Sequence, residues 1–222
     1  MLRVGAFFDL DRTLVACNTG RLFLRDLRKR GEISLARGVR AMGWLARYHF
    51  SLIDVDAMAH KILQGLRGWP EPDFEERCRR LVEDEVLPLL LPAGLRKIEH
   101  HRQEGHLLAI LSTSPTYMTR PVGRVLGIDE VVSTQLEVEG GQLTGRVVGP
   151  ACFGPGKVHW AEALGRARNV DLDKSWFYTD SYSDLPMLER VGHRVIVNPD
   201  PRLRRTARQR GWTVENWMEA AA

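Results

Sequence analysis

The chain has 222 residues, enough for one or two domains with a sizeable buried core. It is 44% hydrophobic and 27% charged, an ordinary globular balance with a mild net charge of +4. Cys17, Cys78 and Cys152 are widely spaced, which argues against a disulfide framework or thiolate zinc site and suits a reducing cytoplasm. The longest apolar stretches, near Ala41–Ile53 and Val86–Leu91, are too short to span a bilayer. Acids follow the first apolar run at once, so no signal peptide is expected. Arginines cluster at 21–47 and 202–210 and read as solvated helix faces. No finger, recognition-helix or RNP-type motif is present, so no nucleic-acid partner is expected.

The first element is a buried strand, Val4–Phe8, followed by Asp9-Leu10-Asp11-Arg12-Thr13-Leu14. Residues i and i+2 of a strand point the same way, so Asp9 and Asp11 leave its end close together. Two such carboxylates repel each other and lose hydration on burial. A hard cation, foremost Mg²⁺, relieves that cost, since oxygen is the only ligand type on offer. One carboxylate is then a candidate nucleophile and the other a candidate acid/base. A solvated strand-to-turn junction accounts for these eight residues equally well.

From about Gly20 to Pro88 apolar residues recur at spacings of three and four, as in Leu35, Val39, Met42 and Leu45, or Ile53, Met58, Ile62 and Leu66. Asp54 is a candidate cap of one helix, and Pro70 and Pro72 start another. The segment reads as a bundle of about four helices. Beyond Pro92 strands and helices alternate. A helix near Ala93–Glu104 precedes a strand His106–Leu111, a helix Tyr117–Leu126 and a strand Glu130–Thr134. A hairpin follows, Leu136–Val148 around Gly140-Gly141. Then come a helix Lys157–Ala167, a strand Ser175–Tyr178, a helix Leu185–Val191, a strand His193–Val197 and a helix Arg202–Arg210. His100, His101 and His106 read as surface residues.

This alternation predicts a parallel sheet covered on both faces. The first strand belongs to it, and the helical segment is an insertion after that strand. Ligands bind beyond the carboxyl ends of such strands. That rule gathers Asp9 and Asp11, Ser112-Thr113-Ser114, Lys157, and Asp180 to Asp184 at one mouth.

With these motifs in order, the chain resembles the haloacid dehalogenase superfamily of hydrolases, in its phosphoserine phosphatase-like branch. The motifs are Asp9-Leu10-Asp11-Arg12-Thr13-Leu14, Ile110-Leu111-Ser112, Lys157, and Thr179-Asp180-Ser181-Tyr182-Ser183-Asp184. The resemblance implies an α/β protein with a Rossmann-like parallel sheet core, residues 1–16 and 89–222, and a helical cap, residues 17–88. It implies a Mg²⁺-dependent phosphomonoesterase for a small phosphorylated metabolite, working through an aspartyl-phosphate on Asp9. Asp11 is the implied acid/base. The implied metal ligands are the carboxylates of Asp9 and Asp180 and the main-chain carbonyl of Asp11. Ser112, Thr113 and Lys157 are implied to hold the phosphoryl group, with Asp184, Thr13 and Ser183 supporting. A dehalogenase has no use for an acid at Asp11, and ion-pumping relatives need membrane helices. A phosphotransferase and a non-catalytic phospho-ligand-binding module remain as other readings of the same motifs.

Three positions depart from the family pattern. Arg12 stands where many relatives have Gly, so its side chain points away from the phosphate or leans over it as a cation. Ser183 replaces a frequent Asn. Asn18 stands seven residues after Asp11, where phosphoserine phosphatases usually carry a Glu that reads the substrate's amine. That neutral residue leaves histidinol phosphate or another small phosphomonoester as open as phosphoserine. Arg21 and Arg25, at the start of the first cap helix, are candidate specificity residues, with Arg25→Ala expected to raise KM.

Overall fold

The computed structural model describes residues 2–32 and 63–218. In chain order these form β1 (Gly5–Phe8), α1 (Thr19–Lys29), α2 (Glu71–Leu81), a π-helical turn (Val82–Val86), α3 (Pro92–Gln103), β2 (Leu107–Pro115) and α4 (Thr116–Leu126). The chain continues through β3 (Glu130–Thr134), β4 (Leu136–Glu139), β5 (Gln142–Val147), α5 (Pro155–Arg168), β6 (Trp176–Thr179), α6 (Leu185–Arg190), β7 (His193–Val197), α7 (Pro201–Arg210) and β8 (Val214–Glu215). The predicted apolar stripe from Leu35 to Ile62 and the Asp54 cap lie outside the described residues.

The six-stranded sheet runs β3-β2-β1-β6-β7-β8, parallel throughout, as the alternation predicts. Period-two alternation splits its core into two layers. Ala6, Phe8, Ile110, Tyr178 and Val195 face α3, α4 and the Phe74–Val86 segment. Phe7, Leu107, Ala109, Leu111, Phe177 and Ile196 face α5, α6 and α7. Strand order reverses at β1, because β2 and β3 are laid down on one side and β6 to β8 on the other. That reversal opens a crevice at the carboxyl ends of β1, β2 and β6.

Two strands differ from the sequence expectation. β2 runs on through Ser112, Thr113 and Ser114 to Pro115, pairing Ser112 with Ser133 and Pro115 with Thr134 across an irregular register. Its hydroxyl-rich end lacks the apolar signal of a buried strand. β8 has only two residues, too few to show a period.

The segment inserted after β1 leaves and returns side by side. Ala16 N donates to Leu89 O at 2.8 Å and Leu91 N to Leu14 O at 2.9 Å. Val15 and Leu90 form an antiparallel bridge between them. α2 begins at the predicted prolines and buries Phe74, Cys78 and Leu81 on one face. The Phe74 ring meets Phe23, Trp69 and Tyr117 edge-on. The β4–β5 hairpin is tied to this segment through Gly68 N to Leu143 O, Leu143 N to Trp69 O and Glu71 N to Gly141 O.

His101 is buried, contrary to its reading as a surface residue. Its position among basic residues at the end of α3 hides the fact that Phe8, Trp176 and Tyr178 surround it. Nε2 lies 2.8 Å from the Tyr178 hydroxyl and Nδ1 lies 2.8 Å from His106 Nδ1. Burial, aided by the charges of His106, His100 and Lys97, pushes its pKa down to about 4. An unfolded chain therefore takes up this proton first, and the native state loses stability as pH falls from about 6.5 towards 4. We expect His101→Gln to flatten the fall in melting temperature between pH 7 and pH 4.5, by about 1–3 kcal/mol of stability. Parallel curves for the two proteins would show that His101 does not carry the acid sensitivity.

Candidate active site

Asp9 follows β1 directly and is anchored by Asp9 N to Tyr178 O, 2.9 Å. The next residues wind tightly. Thr13, Leu14 and Val15 all donate their N–H to Leu10 O, and Arg12 N donates to Cys17 O. Arg12 takes a left-handed φ of 57° in this turn, the conformation that explains Gly as the commoner choice. Asn198, beyond β7, clamps the turn by donating Nδ2 to Arg12 O at 2.8 Å.

Lys157, in the first turn of α5, is 1% exposed and reaches between two carboxylates. Its Nζ lies 2.8 Å from Asp9 Oδ1 and 2.7 Å from Asp184 Oδ2. Burial works against the ammonium, but Asp184 and Asp9 more than offset it, so the lysine stays charged. Thr179, at the end of β6, also donates to Asp184 Oδ2 at 2.6 Å. Asp184 thus holds the lysine.

Asp11 is gripped by Thr19, Ser114 and Asn18, and the Thr19 and Ser114 hydroxyls also lie 2.6 Å from each other. Thr19 N binds Oδ1 at 2.9 Å, while Thr19 Oγ1, Ser114 Oγ and Asn18 Nδ2 bind Oδ2 at 3.2, 3.2 and 3.3 Å. Burial raises its pKa despite these donors. Burial also raises Asp9, up to about 7, with Lys157 opposing and Asp184 and Asp11 adding to the rise. Asp180 is pushed up well above the usual carboxylate range by burial and by Asp9, with Arg12 opposing.

The structure brings Asp9, Asp11, Arg12, Ser112, Lys157, Asp180 and Asp184 to the crevice. Ser112 is buried, and its Oγ accepts from Ser114 N at 3.2 Å. Thr113 turns aside and donates to Cys152 O at 3.1 Å. Ser183 sits in the turn before α6, its Oγ 2.8 Å from that of Ser181. Thr13 is buried with no hydrogen-bond partner for its hydroxyl. Asn18 caps α1, its Oδ1 accepting from Arg21 N at 3.0 Å, so both of its polar ends are engaged within the chain. Arg25 pairs with Glu85 across to the π-helical turn.

Sequence reasoning placed Ser114 at the mouth without giving it a role, and it missed Thr19. Ser114 lies two residues after Ser112 and so shares its side of β2. Thr19 gave no signal, because its partner is set by where α1 begins.

No trio of His, Cys, Asp or Glu side chains among the described residues gathers around one point. The carboxylates of Asp9 and Asp180 and the Asp11 carbonyl, the ligands the resemblance implies, could nonetheless offer a cation oxygen donors alone. Asp180 Oδ2 is closed off from solvent and has no hydrogen-bond partner. A buried carboxylate oxygen without a hydrogen bond, in an acidic cluster, fits a hard divalent cation.

The sequence profile of the haloacid dehalogenase-like hydrolases matches residues 6–189. The chain belongs to that family. It is 32% identical to the phosphoserine phosphatase SerB1 of Mycobacterium tuberculosis, over 99% of this chain and 72% of that protein. It is 28% identical to a histidinol-phosphatase of Neisseria meningitidis, over 96% of this chain and 98% of that protein. Its fold is similar to a crystal structure of a protein of unknown function from Bordetella pertussis, with a TM-score of 0.85 and 27% identity over 96% and 98% of the two chains.

Proposed function

We propose that this chain is a cytoplasmic, Mg²⁺-dependent phosphomonoesterase that hydrolyses a small organic phosphate through Asp9. The observation that carries the reading is the buried pair of Asp9 and Asp184 on one lysine, with a third buried carboxylate, Asp180, whose Oδ2 makes no hydrogen bond. The carboxylates of Asp9 and Asp180 and the carbonyl of Asp11 would hold Mg²⁺, which would supply the charge that lets an anionic nucleophile meet an anionic phosphate.

Asp9 attacks phosphorus, and the bond to the ester oxygen breaks as the aspartyl-phosphate forms. Asp11 gives its proton to the leaving alkoxide; a raised pKa suits an acid at neutral pH. Water then attacks the phosphoryl group, returning a proton to Asp11 and freeing inorganic phosphate and Asp9. Lys157 keeps Asp9 oriented and offsets charge on the phosphoryl oxygens. Ser112 and neighbouring N–H groups hold those oxygens. Residues 17–88 act as a cap on the core of residues 1–16 and 89–222, admitting substrate and excluding water.

Both polar ends of Asn18 are occupied, so a substrate ammonium meets no free carboxylate at that position. The relatives named for phosphoserine and histidinol phosphate therefore guide the choice of compounds without fixing one. Phosphate release from a panel containing both, with Mg²⁺ or chelator and beside an Asp9→Asn control, tests the reading. Metal-dependent release that vanishes in the control is expected. Release that survives in Asp9→Asn, or is indifferent to metal, overturns it.

A further inference from the structure

Arg12 is an unusual residue for its place. A side chain at a φ of 57° costs about 1 kcal/mol that Gly would not incur. The turn keeps it there through Arg12 N to Cys17 O and Asn198 Nδ2 to Arg12 O. Asn198 is itself fixed, its Oδ1 accepting from Trp217 N at 2.8 Å and Met218 N at 3.2 Å. The strained backbone is thus clamped from two sides, and the clamp aims the guanidinium at Asp180.

The contact it makes is incomplete. Arg12 Nε lies 3.1 Å from Asp180 Oδ2, yet the pair lacks hydrogen-bond geometry. Both atoms are shut off from solvent and neither has another hydrogen-bond partner. The Arg12 side chain is 37% exposed, so the guanidinium has a route outwards. A buried carboxylate oxygen with a cation beside it but no directed bond is neutralised without being satisfied. The same oxygen belongs to the donor set that fits a divalent cation.

We propose that Arg12 is an internal competitor of the metal, supplying positive charge to Asp180 when no cation is bound and lowering the affinity of the site for Mg²⁺. Two effects act in this direction. The guanidinium has to yield Asp180 Oδ2, and it then remains a like charge beside the incoming ion. The inference rests on the metal-binding reading given above.

The test is calorimetric Mg²⁺ titration of wild type, Arg12→Gln, Arg12→Gly and Arg12→Lys, with melting temperatures in chelator and in saturating Mg²⁺. Arg12→Gln keeps the strained backbone and removes the guanidinium with its charge, while Arg12→Gly also relieves the strain at this φ. Both are expected to bind Mg²⁺ roughly tenfold more tightly, the equivalent of one displaced ion-pair contact. Arg12→Lys is expected to stay nearer to wild type. In chelator Arg12→Gln is expected to melt below wild type, and Mg²⁺ is expected to narrow the gap. Unchanged or weaker Mg²⁺ binding by both neutral variants overturns the proposal while leaving the metal site in place. Absence of Mg²⁺ binding by wild type and all variants overturns the metal-binding reading and this inference with it.

Discussion

Lys157→Met is expected to destabilise the metal-free protein by about 3–5 kcal/mol, the usual cost of removing one partner from a buried ionic cluster. The methionine fills nearly the same volume, so packing changes little. What changes is that Asp9 and Asp184 face each other with no ammonium between them. The defect also has a pH signature. Asp9 is raised in the folded state, and Lys157 is the chief influence holding it down. A folded carboxylate with a raised pKa favours the native state at low pH and burdens it as pH rises through that pKa. Without the lysine Asp9 rises further, so the gap in melting temperature between variant and wild type should widen from pH 5 to pH 8. A gap that is constant over this range would show that Lys157 acts by packing alone. Turnover should fall as well, because the ammonium that orients Asp9 and offsets charge on the phosphoryl oxygens is gone.

Asp11→Asn is expected to lower kcat by about 10²–10⁴-fold, the usual contribution of a positioned acid/base. Mg²⁺ binding and inhibition by inorganic phosphate should persist. The substitution is mild in shape. The new amide oxygen can still accept from Thr19 N, and the Thr19 and Ser114 hydroxyls can rotate to accept from the amide nitrogen. The Asn18 amide alone is left facing another amide, a small cost beside the chemical one. A variant that keeps wild-type turnover would remove Asp11 from the reaction. A wild type with no turnover to lose would favour the phospho-ligand-binding module.

Much of the fold was legible because its strands are short apolar runs separated by clear turn residues. Glu130–Thr134 and His193–Val197 occur with the expected limits. The first acidic motif stood out because Asp9 and Asp11 close a buried strand, where a carboxylate is out of place. Burial of a polar residue was not legible. Lys157 in a sequence looks like any surface lysine, and His101 like part of a basic helix end. Their interior positions come from neighbours more than seventy residues away, Asp9 for one and Tyr178 for the other. Asn18 shows a different limit. Its place in the family pattern suggested a reader of substrate, whereas its own neighbours, Thr19 to Arg21 at the start of α1, made it a cap.

The stem formed by 14–16 and 89–91 sets how this architecture can vary. Both ends of the inserted segment sit on neighbouring rungs of one small ribbon, so the core fixes where the segment leaves and where it returns. The entropy of closing a loop across fixed points rises slowly with loop length. The stretch between those points can therefore change in length at small cost while the strand end that carries Asp9 stays in place. Selection for a new metabolite can then act between those points, provided that Asn18 and Thr19 keep their hold on Asp11.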